Sequence, residues 1–232
     1  MKLLLFDIDG TLVLTGGAGI RALNRAFREL VGVENAMERV RPHGKTDPAI
    51  IREVFEICGN AGQCSDWMAR ILDAYVRYLP GEVNGSSSYK VLPGILRFLE
   101  DFHGHSDLAI GLATGNVEEG ARIKLERGNL NRFFSFGGFG SDAESRTELV
   151  RRAAEKGARV AGQKVKPEDI FVIGDTPRDI DAGREAGFRT VGVATSDYSA
   201  DQLQAAGADL VLADFERDRS RFLRLAGIEE LV

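Results

Sequence analysis

Met1-Lys2-Leu3-Leu4-Leu5-Phe6-Asp7-Ile8-Asp9-Gly10-Thr11-Leu12 opens the chain and decides how the rest of it folds. Leu3 to Phe6 are apolar without alternation. That pattern marks a central parallel strand covered on both faces, because a half-exposed strand would alternate. Asp7 arrives where the apolar run stops. In open α/β sheets, ligands bind outside the carboxyl ends of the strands. Asp7 and Asp9 are two apart, so in an extended segment they lean to the same side, roughly 6–7 Å from one another. Two anions that close repel unless one is protonated or a cation lies between them. An oxygen-only pair suits a hard ion such as Mg²⁺. Gly10 permits a tight turn and close approach of backbone to a ligand, and Thr11 adds a hydroxyl. Ordinary turns after strands use the same residue types. Calcium loops that begin Asp-x-Asp need Gly at the sixth position and Glu at the twelfth. Leu12 and Ala18 stand there, which excludes that reading.

The 232 residues can bury a sizeable core without disulfides. The formal net charge of −5, with Lys and Arg scattered, argues against a nucleic-acid partner. The two cysteines, Cys58 and Cys64, lack a His or further Cys at metal spacing and read as inert thiols in a reducing compartment. The apolar start is too short for a signal peptide, and Asp7 and Asp9 interrupt it. No run approaches the roughly 18 apolar residues of a membrane span. The expectation is a soluble, cytoplasmic protein.

Thr15-Gly16-Gly17-Ala18-Gly19 reads as a flexible elbow. No Gly-x4-Gly-Lys-Ser/Thr run follows, so it is not a phosphate loop of that type. From Ile20 to about Tyr78 the pattern is helical. Ile20, Leu23, Ala26, Phe27, Leu30 and Val31 recur at three and four, as do Ile50, Ile51, Val54 and Phe55, then Trp67, Ile71, Leu72, Tyr75 and Leu79. The loop Arg41-Pro42-His43-Gly44-Lys45-Thr46-Asp47-Pro48 offers His43 or Lys45 to an anionic substrate. It reads equally as a solvated connection with Thr46 or Asp47 capping the next helix. Pro80-Gly81 and Asn84-Gly85-Ser86-Ser87-Ser88 predict a second flexible connection.

Strand-helix alternation follows. Pro93-Gly94 opens a helix that ends at His103-Gly104-His105, a turn rather than a metal site. Leu108 to Ala113 is a second buried strand and runs into Thr114-Gly115-Asn116. A hydroxyl at a strand end, before the free amides of a helix start, can hold a phosphate oxygen. Thr114 or Asn116 could equally cap that helix. Arg122, Lys124 and Arg127 come next. Phe133 to Phe139 predicts another strand, and a helix carrying Arg146 starts near Glu144. Ile170 to Ile173 is continuous and apolar and ends Gly174-Asp175-Thr176-Pro177-Arg178-Asp179. Strands at Thr190–Val193 and Leu210–Leu212 close the pattern. Neighbouring parallel strands would bring Asp7/Asp9, Thr114/Asn116 and Asp175/Asp179 to one edge of the sheet.

This set resembles the haloacid dehalogenase-like hydrolase superfamily, and within it the phosphatases of the phosphoglycolate phosphatase type. Asp7-Ile8-Asp9-Gly10-Thr11-Leu12 is similar to that family's first motif, Ala113-Thr114-Gly115-Asn116 to its second, and Gly174 to Asp179 to its fourth. The resemblance implies an α/β fold: a Rossmann-like, doubly wound parallel sheet formed by residues 1–13 and 91–232, with an inserted α-helical cap at 14–90. The family's third motif is a lysine, and here the match departs. Ser145-Arg146-Thr147 stands where many relatives have Lys-Pro. Lys166-Pro167 comes too late in the chain. Lys124 is the preferred cation and Arg146 the alternative.

The resemblance further implies roles. Asp7 is the nucleophile and Asp9 the general acid and base. Mg²⁺ is held by Asp7, the main-chain carbonyl of Asp9, and Asp175, with Asp179 binding directly or through water. Thr114, Asn116 and Lys124 hold the phosphate oxygens, with Gly10, Thr11, Gly115, Arg146 and Lys45 also toward the substrate. Asp9 favours phosphoryl chemistry over dehalogenation, which has no use for an acid there. The implied activity is a Mg²⁺-dependent phosphatase acting on a small phosphorylated metabolite. Alternatives are a phosphomutase of the beta-phosphoglucomutase type and a non-catalytic phosphate-binding protein. The substrate and the oligomeric state are not readable.

Overall fold

The computed structural model describes residues 1–229. The chain runs through β1 (Lys2–Phe6), β2 (Val13–Leu14), α1 (Ala18–Val31), α2 (Asp47–Ile57), α3 (Cys64–Asn84) and β3 (Lys90–Val91). It continues with α4 (Ile95–Phe102), β4 (Leu108–Ala113), α5 (Glu118–Glu126), β5 (Gly137–Gly138), α6 (Arg146–Val160) and β6 (Ile170–Gly174). It closes with α7 (Pro177–Ala186), β7 (Arg189–Val193), α8 (Ala200–Ala205), β8 (Leu210–Leu212) and α9 (Arg219–Ala226).

The larger sheet has the order β5-β4-β1-β6-β7-β8, and every pairing in it is parallel. β1 is central, between β4 and β6. Its unalternating sequence follows from that place, because both faces are covered. Leu4 and Phe6 join a cluster with Phe98 and Phe102 of α4 and Phe222 of α9. Leu3 and Leu5 point the other way, to Leu149, Val150 and Ala153 of α6 and Ala182 of α7. The first layer is rich in phenylalanine. The Phe98 ring lies 5.0 Å from both Phe102 and Phe215, centroid to centroid, in tilted pairs, the arrangement that aromatic quadrupoles favour. The sheet is thus the doubly wound, Rossmann-like one expected from the sequence.

α1, α2 and α3 build a separate apolar cluster around Phe27, Phe55, Ile71 and Tyr75. The chain leaves the sheet for these helices through β2 and returns through β3. The two pair antiparallel, Val13 opposite Val91 and Leu14 opposite Lys90. Three local expectations are corrected. Ala18 and Gly19 belong to α1 and not to the elbow before it. Ile20 is 39% exposed and not on the buried face of that helix. Pro80 does not end α3, which continues to Asn84. A proline removes one helical hydrogen bond, but Leu79 and Val83 on either side of it are buried and hold the turn in place. Among the described residues, no helix is long and apolar enough to cross a membrane.

Candidate active site

Because β1 lies between β4 and β6, the segments that follow these three strands meet at one edge of the sheet. The Asp7 amide continues the ladder to the Ile173 carbonyl at 2.9 Å. Its carboxylate, that of Asp175 and that of Asp179 offer oxygens that all lie within 4.8 Å of one another, and all three residues are buried. Each is held. Asp175 accepts from the Thr11 hydroxyl at 3.0 Å and from the Ser196 hydroxyl. Asp179 closes a capping box at the start of α7, accepting from the Thr176 amide at 3.0 Å and its hydroxyl at 2.8 Å. Gly10 has φ +85°, and a Cβ there would fall 2.2 Å from an Asp175 oxygen, so this turn requires glycine.

Arg146 stands among the three acids, at the first turn of α6. Its guanidinium lies 3.1 Å from Asp7 Oδ2 and also bonds Asp179. One guanidinium does not offset three buried carboxylates. Burial pushes the Asp7 carboxyl up to about 6; Arg146 pulls it down, and Asp179 and Asp9 push it up again. Burial, Asp179 and Asp7 likewise hold Asp175 well above the ordinary carboxylate range. An all-oxygen set with an excess of negative charge fits a hard divalent cation.

Asp9 faces a different group. Its Oδ2 accepts from Lys124 Nζ at 2.6 Å and from Asn116 Nδ2 at 2.9 Å. Lys124 also donates to Asn116 Oδ1 at 2.5 Å, and the Asn116 amide group donates to Thr114 Oγ1 at 2.8 Å. Burial would lower the Lys124 ammonium, but Asp9, Tyr75 and Asp47 together raise it, so it stays charged. The two candidate cations therefore serve different aspartates: Arg146 touches Asp7, and Lys124 touches Asp9. The Asp9 side chain lies outside the three-carboxylate cluster.

The loop before α2 lies over this edge. Asp47 donates its amide to the Gly115 carbonyl at 2.8 Å, and its carboxylate accepts from the Val117 amide at 2.9 Å. Val117 is the N-cap position of α5, so neither Thr114 nor Asn116 caps that helix; Asp47 does so from α2. Thr46 caps α2, accepting from the Ala49 amide at 3.4 Å. A Cβ on Gly115 would meet the Lys45 carbonyl oxygen at 2.2 Å. Arg146 Nη1 donates to the Gly44 carbonyl at 3.1 Å, and His43 Nε2 lies 3.2 Å from Asp197. Lys45 borders the site, but its ammonium is bonded to Glu53. Beneath this loop lies a cavity of about 720 Å³, lined at one end by Asp7, Asp9, Thr114, Asn116, Lys124 and Arg146.

Sequence reasoning missed the loop after β7, where Thr195 bonds the Gly10 carbonyl and Ser196 bonds Asp175. The available signal was its place at the end of another parallel strand. It placed Tyr75 only on the apolar face of a helix, whereas this buried residue of α3 adjoins Lys124.

Fold and site together define a Rossmann-like enzyme whose central strand delivers a buried carboxylate beneath a helical cap. The haloacid dehalogenase-like hydrolase family matches residues 4–193, and the chain belongs to that family; it is a hydrolase. A phosphoglycolate phosphatase of Aquifex aeolicus is 26% identical over 196 residues, spanning 82% of this chain and 83% of that protein. A hydrolase from Pseudomonas syringae shares the fold with a TM-score of 0.72 at 23% identity, covering 97% of this chain and 100% of that one. A protein from Bacteroides vulgatus assigned as a beta-phosphoglucomutase superposes with a TM-score of 0.70 at 21% identity, covering 98% of this chain and 89% of its own.

Proposed function

We propose that the protein is a Mg²⁺-dependent phosphatase that hydrolyses a small phosphorylated metabolite through a phosphoryl group carried on Asp7. The observation that carries this reading is the division of charge at the sheet edge. One aspartate faces a guanidinium inside an acidic cluster, and a second, two residues on, faces an ammonium. Arg146 favours the ionised form of Asp7 against burial, as a nucleophile needs. In the first step an Asp7 oxygen bonds to phosphorus, the bond to the alcohol oxygen breaks, and Asp9 gives that oxygen a proton. In the second, Asp9 takes a proton from water, the water oxygen bonds to phosphorus, and Asp7 is released with inorganic phosphate. The incoming phosphate competes with Asp9 for Lys124, and the move of that ammonium onto a phosphate oxygen frees Asp9 to carry the proton. Thr114 and the amides around Asn116 complete the phosphate cradle. Asp7, Asp175 and Asp179, with the Asp9 carbonyl, would hold Mg²⁺, which when bound supplies charge neutralisation between nucleophile and phosphate. The free thiols and the lack of a spanning helix among the described residues support a cytoplasmic setting.

The test is phosphate release from p-nitrophenyl phosphate. Activity should appear with Mg²⁺, vanish with EDTA and return on readdition, and Asp7→Asn should reduce it to background. Appreciable turnover by Asp7→Asn would remove the nucleophile assignment. Isomerisation of a sugar phosphate without phosphate release would mark a mutase instead.

A further inference from the structure

The geometry points to a substrate whose alcohol portion is apolar and larger than a two-carbon acid, an inference that rests on the phosphatase reading. The cavity is of the size that takes a drug-sized ligand. That is its volume with Asp47, at the start of α2, bonded to Gly115 and Val117. A phosphate group occupies only the end formed by Asp7, Thr114 and Asn116. Its remaining apolar border is Leu14 and the exposed Ile20, with the largely covered Leu23, Met37 and Ile50 behind them, while Thr15, Ser88 and Lys90 supply polar groups.

Ile20 is the telling residue. Ala18, Ala22, Leu23, Ala26 and Phe27 of α1 are buried and Leu30 and Val31 partly so, whereas Ile20 is 39% exposed and lines the cavity. An isoleucine in that place gains from burial only when an apolar group lies against it. A short dianionic ester would need the opposite, a cation free to meet its second acid group. The lysine of the loop before α2 that borders the cavity, Lys45, is paired with Glu53. Lys124 serves the phosphate end beside Asp9, and Arg146 is held by Asp7 and Asp179. Lys90, the other cation bordering the cavity, lies exposed on the ribbon of β2 and β3. Phosphoglycolate, the substrate in the name of the Aquifex aeolicus relative, would leave Ile20 without an apolar partner.

The test compares benzyl phosphate with phosphoglycolate at saturating Mg²⁺, in the wild type and in Ile20→Ser. Benzyl phosphate should be preferred by about tenfold or more in kcat/KM, and Ile20→Ser should raise its KM by about tenfold and narrow the preference. Equal or better use of phosphoglycolate, or a shift of both esters by the same factor in Ile20→Ser, overturns the inference. If neither ester is turned over, titration calorimetry with benzylphosphonate and phosphonoacetate decides. Tighter binding of benzylphosphonate keeps the apolar subsite and removes the phosphatase reading, whereas equal or weaker binding removes both.

Discussion

Ser196 donates its hydroxyl to the Asp175 carboxylate from the loop after β7, opposite the Thr11 hydroxyl. Two donors fix the plane of a carboxylate whose charge burial and two neighbouring acids oppose. Groups that orient a metal-binding carboxylate typically govern ion affinity by one to two orders of magnitude. Ser196→Ala should therefore raise the Mg²⁺ concentration for half-maximal activity by about tenfold, with kcat at saturating Mg²⁺ changed far less. A Mg²⁺ titration of the variant checks this, and an unchanged midpoint would deny Ser196 a positioning role. Asp7, Thr114 and Asp175 stood out as candidates because each directly follows an unbroken apolar strand, and Asp9 because it stands two residues beyond Asp7. Ser196 was not legible, since a serine after a strand is ordinary turn chemistry. The choice between Lys124 and Arg146 also lay beyond local pattern. Lys124 lies in the last turn of α5 and Arg146 opens α6, and only the folded chain assigns one to Asp9 and the other to Asp7.

At the scale of elements, the start of α5 and the start of α2 complete one another. Asp47 caps α5 at the Val117 amide, and its own amide meets the Gly115 carbonyl. The fit leaves no room for a side chain on Gly115, which faces backbone rather than a movable side chain. Gly115→Ala should push the loop before α2 off the strand end at a cost of about 1–3 kcal/mol. That cost falls on the seating of α2 against the strand end. The expected result is a kcat/KM lowered by about tenfold or more with far-ultraviolet circular dichroism unchanged; wild-type kcat/KM would show that activity does not depend on this contact. The helices themselves were readable from their three-and-four spacing. Their ends were less so, for a physical reason. The cap of α5 comes from a residue about seventy positions away in sequence, and α3 passes through Pro80 because tertiary burial of Leu79 and Val83 outweighs a local breaker.

For the whole molecule, the buried Asp47 links stability to pH. Burial pushes its carboxyl from 3.8 up to about 6, with Lys124 pulling it down. Between those values the folded protein keeps a proton that the unfolded chain has released, so stability falls as pH rises through the window. Relative to Asp47→Asn, the wild type should lose up to about 3 kcal/mol between about pH 4 and pH 6. Thermal unfolding of both proteins across that range checks it, and a relative gain would reverse the assignment. The parallel order of the sheet followed from runs such as Leu3–Phe6 and Leu108–Ala113, whose lack of alternation admits few other places. The paired strands β2 and β3 were too short to leave a periodic trace. They nonetheless bring the two ends of the long helical excursion to adjacent positions, Leu14 opposite Lys90. The entropy of closing a loop is set by where its ends lie and grows only slowly with what is strung between them. To the sheet, the excursion therefore weighs little more than a hairpin turn. Its helices can change in length at little cost to the sheet as long as Asp47 keeps its bonds to Gly115 and Val117, a physical route by which one phosphate chemistry can be matched to different alcohols.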